Sequence, residues 1–268
     1  MSAAPRLRLE RGPDARVARV VLDRPDVHNA FDDVLIKELQ KTFRALASDV
    51  SVRVVELRGE GMSFCAGADV NWMKRLAGFT LEENRRDSAE LAQLFRALDE
   101  FDKPLVARVQ GAAIGGGTGL AAVSDVVVAA EGALFGTTEV RLGVIPAVIS
   151  PYVVRKIGES HARRWFLTGE KVDADEARRV GLVHIVVPAK ELDKAVEKVV
   201  ESLLLGGPEA QREAKRLART VATMPQKDLL NLTVQKIGER RTSAEGQEGM
   251  KAFLEKRAAS WTEKEKKG

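Results

Sequence analysis

Two rhythms of apolar residues share the first 190 positions of the chain. Residues 17–23 are mostly apolar and β-branched and stop at Arg24-Pro25, the pattern of a strand running into a loop. Beyond Phe31 the apolar positions Val34, Leu35, Leu39, Phe43 and Leu46 recur at helical spacing, which predicts an amphipathic helix. Residues 52–57 read as a second strand closed by Gly59, residues 72–76 and 81–101 as helices, and residues 104–109, 125–129 and 182–187 as further strands. Strands separated by helices imply an α/β body with crossover connections. Past residue 190 the strand pattern gives way to successive helical stretches at 192–205, 209–222, 226–240 and 244–261. The chain therefore divides into an α/β core, residues 1–190, and a helical C-terminal region, residues 191–268, suited to docking on the core or on a neighbouring subunit. The charged end, residues 263–268, reads as solvated.

Composition narrows the function classes. Apolar residues make up 44% of the 268 positions, enough for a packed core. The 43 basic and 39 acidic residues are interspersed, so the net charge of +4 marks no basic stripe and argues against a nucleic-acid partner. A few cations beside a small phosphate-bearing molecule fit the charge equally well. The lone cysteine, Cys65, excludes an intrachain disulfide and favours a reducing compartment. Residues 1–16 hold no apolar stretch of a secretory signal, and no apolar run approaches a membrane span, so the expectation is a cytoplasmic protein without membrane contact. His161 and His184 lack the spacing of metal ligands, and no metal is expected. Trp165-Phe166-Leu167 reads as core.

Two small-residue segments carry the candidate chemistry. Ser63-Phe64-Cys65-Ala66-Gly67-Ala68-Asp69 and the run from Gly111 through Gly115-Gly116-Gly117-Thr118 to Gly119 each lie between a strand and a helix. Small side chains let a ligand approach the main chain, and a helix N-terminus aims unpaired N–H groups at a negative charge. Two such segments converging would form an oxyanion hole. The second lacks the Gly-Lys-Ser/Thr of a P-loop and the glycine spacing of a dinucleotide fold, so both nucleotide readings are rejected.

A resemblance rests on these segments together with others. Leu22-Asp23-Arg24-Pro25, Asn29-Ala30-Phe31, the two small-residue segments, Thr138-Glu139-Val140 and Leu142-Gly143-Val144-Ile145-Pro146 follow in order. With Glu245-Gly246-Gln247-Glu248-Gly249-Met250 and Ala252-Phe253-Leu254-Glu255-Lys256-Arg257, they resemble the signatures of the crotonase (enoyl-CoA hydratase/isomerase) superfamily over residues 15–261. That resemblance implies a spiral of ββα turns with a helical C-terminal part, assembled as a homotrimer or hexamer. It implies an acyl-CoA substrate with no separate cofactor, coenzyme A being part of the substrate. By position, Ala66 and Gly116 would donate the two oxyanion N–H groups. Ala66, Gly67, Ala68 and Asp69 would line the coenzyme path, with Gly116 and Gly119 beside the acyl group. Arg24 and His28 fall in a loop beside the coenzyme, although a salt bridge to a carboxylate is an equal reading of Arg24. Phe253 and Lys256 lie in the C-terminal helix motif, Lys256 reaching a neighbour's phosphates.

Hydratases of this superfamily set two glutamates on the substrate double bond. Here Gly119 stands at the first position and Glu139 at the second, leaving Glu139 as the acid/base. The glycine at 119 and the run Pro146-Ala147-Val148-Ile149-Ser150-Pro151 are similar to a bacterial methylglutaconyl-CoA hydratase-like branch. A hydratase of a branched or carboxylated enoyl-CoA, as in leucine or isoprenoid breakdown, is the favoured reading. A single-glutamate isomerase comes second, and a non-catalytic acyl-CoA- or RNA-binding member third.

Overall fold

A computed structural model describes residues 5–263; the charged run from 264 onward lies outside them. The chain opens on β1 (Leu7–Arg11), which pairs antiparallel with β2 (Val17–Leu22). Thereafter it repeats one unit: a strand of a large sheet, a short extended piece of a second layer, then a helix. β2 is followed by a bridge residue, Phe31, and by α1 (Asp33–Ser48). Asp32 caps α1 by accepting from the Leu35 N–H at 2.8 Å, and Leu35, Ile36, Leu39, Phe43 and Leu46 form its buried face. β3 (Val54–Gly59) leads through residues 65–68 into α2 (Val70–Leu76) and α3 (Leu81–Asp99). β4 (Leu105–Val109), β5 (Ala112–Ile114) and α4 (Gly116–Val123) make the next turn. β6 (Val126–Ala130), β7 (Leu134–Gly136) and α5 (Ser150–Thr168) follow. β8 (Val172–Asp173), α6 (Ala174–Arg179) and β9 (Ile185–Val187) close the body.

The large sheet runs β1-β2-β3-β4-β6-β9 and is parallel from β2 onward, while β5, β7 and β8 form the second layer. Isolated bridges Phe31↔Ala68 and Cys65↔Ala113 carry that layer back to earlier turns. The fold is α/β, and this alternation between layers is the ββα spiral anticipated above. Both faces of the sheet are covered, as parallel strands require. On one face Leu57, Ala107 and Val127 pack with α1 and α3 in the main core. On the other, Val17, Val54, Val106 and Val128 pack against Leu192, Val196, Val200 and Leu204 of α7 (Leu192–Leu205). By packing, α7 belongs to the body even though it lies in the helical C-terminal stretch.

The remaining helices behave differently. α8 (Pro208–Val221) and α9 (Gln226–Thr242) contain no buried residue, and α10 (Ala244–Leu254) buries only Ala252. Leu230, Val234 and Ile237 of α9 form an exposed apolar stripe, with Phe253 and Leu254 exposed at the end of α10. α10 is also shorter than the helical stretch to residue 261 read from the sequence. Of the Trp165-Phe166-Leu167 trio, Trp165 is fully buried but Leu167 points outward, 72% exposed.

Candidate active site

The two small-residue segments lie side by side. The Cys65 N–H donates to Ala112 O at 2.9 Å and the Ile114 N–H to Cys65 O at 3.0 Å, zipping residues 65–67 to β5. Gly117 follows from this close approach, because a Cβ there would stand 2.1 Å from Cys65 O. The Thr118 hydroxyl accepts the Gly136 N–H at 3.1 Å and sits 2.7 Å from Ala113 O, fastening the first turn of α4 to the second layer.

The structure changes the donor assignment in the first segment. The Ala66 N–H is committed to His28 O at 2.9 Å, so it is not available to a ligand. Gly67 takes φ +96°, and beyond that kink the Ala68 N–H has no partner among the described residues, while Ala68 itself is exposed. In the second segment Gly116 is the first residue of α4, and its N–H is likewise without a partner among the described residues. It is one of the donors that a helix start leaves open, at the positive end of the helix dipole.

Glu139 enters from the 3₁₀ turn Glu139–Leu142 that follows β7. A Cβ on Gly115 would lie 3.1 Å from Glu139 Oε1 and 3.8 Å from the Gly67 Cα, so the carboxyl group sits at the junction of the two segments. Its Oε2 is buried without a hydrogen-bond partner among the described residues, and burial pushes its pKa above the ordinary carboxylate value. A half-buried carboxyl group with an unpaired oxygen is costly to keep charged, the condition expected of a group held for proton transfer.

Gly119, on the next turn of α4, faces an apolar wall. A Cβ there would stand 2.4 Å from Ile149 Cγ2 and 2.8 Å from Phe95 Cε1. Phe95 also packs on Phe31, with ring centroids 6.1 Å apart, and stacks on Tyr152 at 6.0 Å. The volume of a side chain at 119 is thus filled by Ile149 and Phe95. Motif reading missed these wall residues, although the bulky Val148-Ile149 pair beside a missing glutamate was the available signal.

The other predicted positions divide. Arg24 is locked: it donates to Asp69 Oδ2 at 2.7 Å and to Ala30 O, and lies 3.3 Å from Asp32 Oδ2. Its side chain is 11% exposed, so the salt-bridge reading holds and a coenzyme-facing Arg24 is corrected. Asp69 is its partner and the N-cap of α2, accepting from the Asn71 N–H at 2.7 Å and the Trp72 N–H at 3.2 Å. Burial alone would raise its pKa, but Arg24 and those N–H groups together hold it below the usual carboxylate range. Asp69 therefore shapes the segment and does not present its side chain to a ligand. His28 stays exposed in the left-handed region, φ 52°, with Nδ1 3.1 Å from Ser63 Oγ. Asn29 behind it, also left-handed, ties the loop to Glu60 O and Ser63 O at 2.9 and 2.8 Å. Phe253 and Lys256 are exposed beyond the body, and neither makes a side-chain hydrogen bond or ion pair among the described residues. Cys65 is fully buried, and burial pushes its thiol up to about 12, which rules it out as a nucleophile.

No group of three or more His, Cys, Asp or Glu among the described residues is placed to hold a metal ion, and no helix among them is long and apolar enough to cross a membrane.

Comparison with known proteins agrees with this fold. The enoyl-CoA hydratase/isomerase family model matches residues 12–264. The 2,3-dehydroadipyl-CoA hydratase of Escherichia coli K12 is 34% identical over 252 residues, covering 90% of this chain and 93% of that protein. An enoyl-CoA hydratase structure from Shewanella pealeana superposes with a TM-score of 0.91 at 40% identity, covering 96% of each chain. AtuE of Pseudomonas aeruginosa does so with a TM-score of 0.91 at 37% identity, covering 96% of this chain and 100% of that one.

Proposed function

The chain belongs to the enoyl-CoA hydratase/isomerase family, and we propose that it adds water to an α,β-unsaturated acyl-CoA using one carboxylate, Glu139, and two main-chain donors, Ala68 and Gly116. The observation that carries this reading is the half-buried Glu139 carboxyl group, its Oε2 without a partner among the described residues, at the junction of two segments that each leave an N–H open among those residues.

The chemistry follows from the placement. The two N–H groups hold the thioester oxygen and take up the negative charge that builds there as the double bond is attacked at Cβ. Glu139, ionised, accepts a proton from the attacking water and then returns it to Cα as the enolate collapses. One carboxylate thus serves as base and then acid on the same face of the substrate. Its raised pKa keeps the two roles close in energy.

The proposed substrate is a branched or carboxylated enoyl-CoA, with methylglutaconyl-CoA as the specific candidate. Two features support it: the apolar wall that Phe95 and Ile149 present at Gly119 in place of a second carboxylate, and a relative named for 2,3-dehydroadipyl-CoA, itself a carboxylated enoyl thioester. The same wall favours one alternative, an isomerase in which Glu139 moves a proton between two carbons and no water is needed. A panel of enoyl-CoA thioesters assayed for hydration and for double-bond migration separates the two. Turnover of neither kind would leave a non-catalytic binding role.

Assembly is part of the proposal. The exposed stripe on α9 and the exposed end of α10 suit a homotrimer or hexamer, in which Lys256 and Phe253 would reach a neighbour's coenzyme.

A further inference from the structure

α4 has a second end. Its N-terminus carries the Gly116 amide, and its last residues, Ala122 and Val123, with Ser124 beyond, line a cleft of ≈ 360 Å³. Eight residues at 1.5 Å each separate the two ends by about 12 Å, so the cleft lies apart from the reaction centre.

The cleft collects charge. Four cations border it, Arg155 and Lys156 from α5 and Lys215 and Arg219 from α8, against two carboxylates, Asp99 and Asp125. Asp99 is shared by Arg155 and Arg219, the latter at 2.9 Å, and Asp125 is taken by Lys215 at 2.7 Å. Lys156 has no carboxylate partner among the described residues. Its Nζ donates to Ser124 O at 2.9 Å, at the C-terminal end of α4. Burial, with Arg155 and Lys215 nearby, pulls its pKa below the ordinary lysine value against the opposing pull of Asp125 and Asp99. An anion beside it would relieve that strain.

The rest of the lining is not a phosphate cradle. Ala122, Val123, Ala214 and Ala218 give apolar walls between the cations. Gln211 is turned into the protein: its Nε2 donates to Leu203 O, and its Oε1 is buried, closed to a molecule in the cleft. The cleft thus offers surplus positive charge and a short apolar surface. Its volume is near the lower end of small-molecule sites.

We propose that this cleft binds a small carboxylic acid, its carboxylate at Lys156 and the neighbouring cations and its short carbon chain against the alanine wall. The probe is butyrate, followed by ligand-observed NMR on the intact protein with the active site saturated by acetoacetyl-CoA. Saturable binding is expected to persist under those conditions. It should weaken about tenfold for acetate, which gives up two methylene groups on the alanine wall. Lys156→Met and Ala218→Trp should each abolish it, the second by filling the cleft from an exposed position, with enoyl-CoA turnover of Ala218→Trp unchanged. Displacement of the probe by acetoacetyl-CoA would place it in the active site and overturn the proposal. Inorganic phosphate binding as well as butyrate would reduce the cleft to an unspecific anion patch. Absence of saturation up to ~10 mM, where free energies of binding fall below those of a built site, would also overturn it.

Discussion

The two sides of the reaction centre are built in opposite ways. On one, Glu139 brings a carboxyl group whose Oε2 finds no partner among the described residues and whose pKa is raised by burial. On the other, where a hydratase of this family sets a second glutamate, Gly119 has no side chain, and Ile149 and Phe95 fill the space. The difference teaches that this side is closed as well as uncharged. Positions 119 and 149 share one volume, since any side chain at 119 would meet Ile149 Cγ2 at 2.4 Å, and the packing that results leaves the site asymmetric.

The comparison is broken most directly on the polar side. Glu139→Gln keeps size and hydrogen bonding but cannot transfer a proton. Turnover should fall roughly 100- to 10,000-fold, the usual range for a positioned general acid/base, with acetoacetyl-CoA affinity nearly unchanged. Rates near wild type on the best substrate would remove Glu139 from the mechanism. The main-chain donors come next. Gly116→Pro deletes one N–H at a helix position that tolerates proline, but any Cβ there meets the Phe31 ring at 2.8 Å. The substitution therefore belongs on a Phe31→Ala background and should lower kcat by about 100- to 1,000-fold relative to Phe31→Ala alone. A loss below tenfold would mean that the Gly116 amide does not hold the oxyanion.

The apolar side is tested by rebuilding it. Gly119→Glu alone drives a side chain into Ile149 and Phe95, and overpacking of this kind costs about 1–3 kcal/mol in urea-denaturation stability. Adding Ile149→Gly should recover part of that loss, since the two residues share one volume and their effects will not add. Hydration of crotonyl-CoA should rise in the double variant and stay flat in Gly119→Glu. Additive stability losses would show that 119 and 149 are independent positions.

Most of the body could be read from the chain because long apolar periods declare themselves. The limits of α7, Leu192–Leu205, coincide with the helical stretch read from the pattern, and α1 and β2 depart from theirs by one or two residues. The second layer could not be read, since β5, β7 and β8 are two or three residues long and show no period. β1 was hidden because only two of its five residues are apolar and one of them, Leu9, is exposed, and α5 by Gly158, which sits mid-helix at φ 75°. The site shows the same division. Motif order placed Glu139 and Gly116, but choosing Ala68 over Ala66 depends on the Gly67 kink, which redirects successive N–H groups and leaves no mark in composition. Arg24 was ambiguous for a similar reason. Its partner Asp69 lies 45 positions away, and only the folded loop brings them together.

The smallest expected effect concerns stability against pH, and it isolates the cost of the polar side. The folded-state pKa of Glu139 lies above its ordinary value of 4.5 because burial disfavours the charged form. As pH rises, the unfolded chain therefore releases this proton before the folded one does. The unfolded state then binds fewer protons, so the Glu139 contribution is fully present below the unfolded pKa and is lost as pH climbs through the folded one. Glu139→Gln cannot ionise and escapes that loss. Between about pH 4 and pH 7 its unfolding free energy should decline less, or rise more, than that of the wild type, other groups being common to both. Over the same interval wild-type kcat/KM should increase with pH, because the attacking water needs an ionised Glu139. Parallel stability curves for the two proteins, with a flat wild-type rate profile, would mean that the carboxyl group is solvated like any surface glutamate, and the asymmetry between the two sides would lose its chemical meaning.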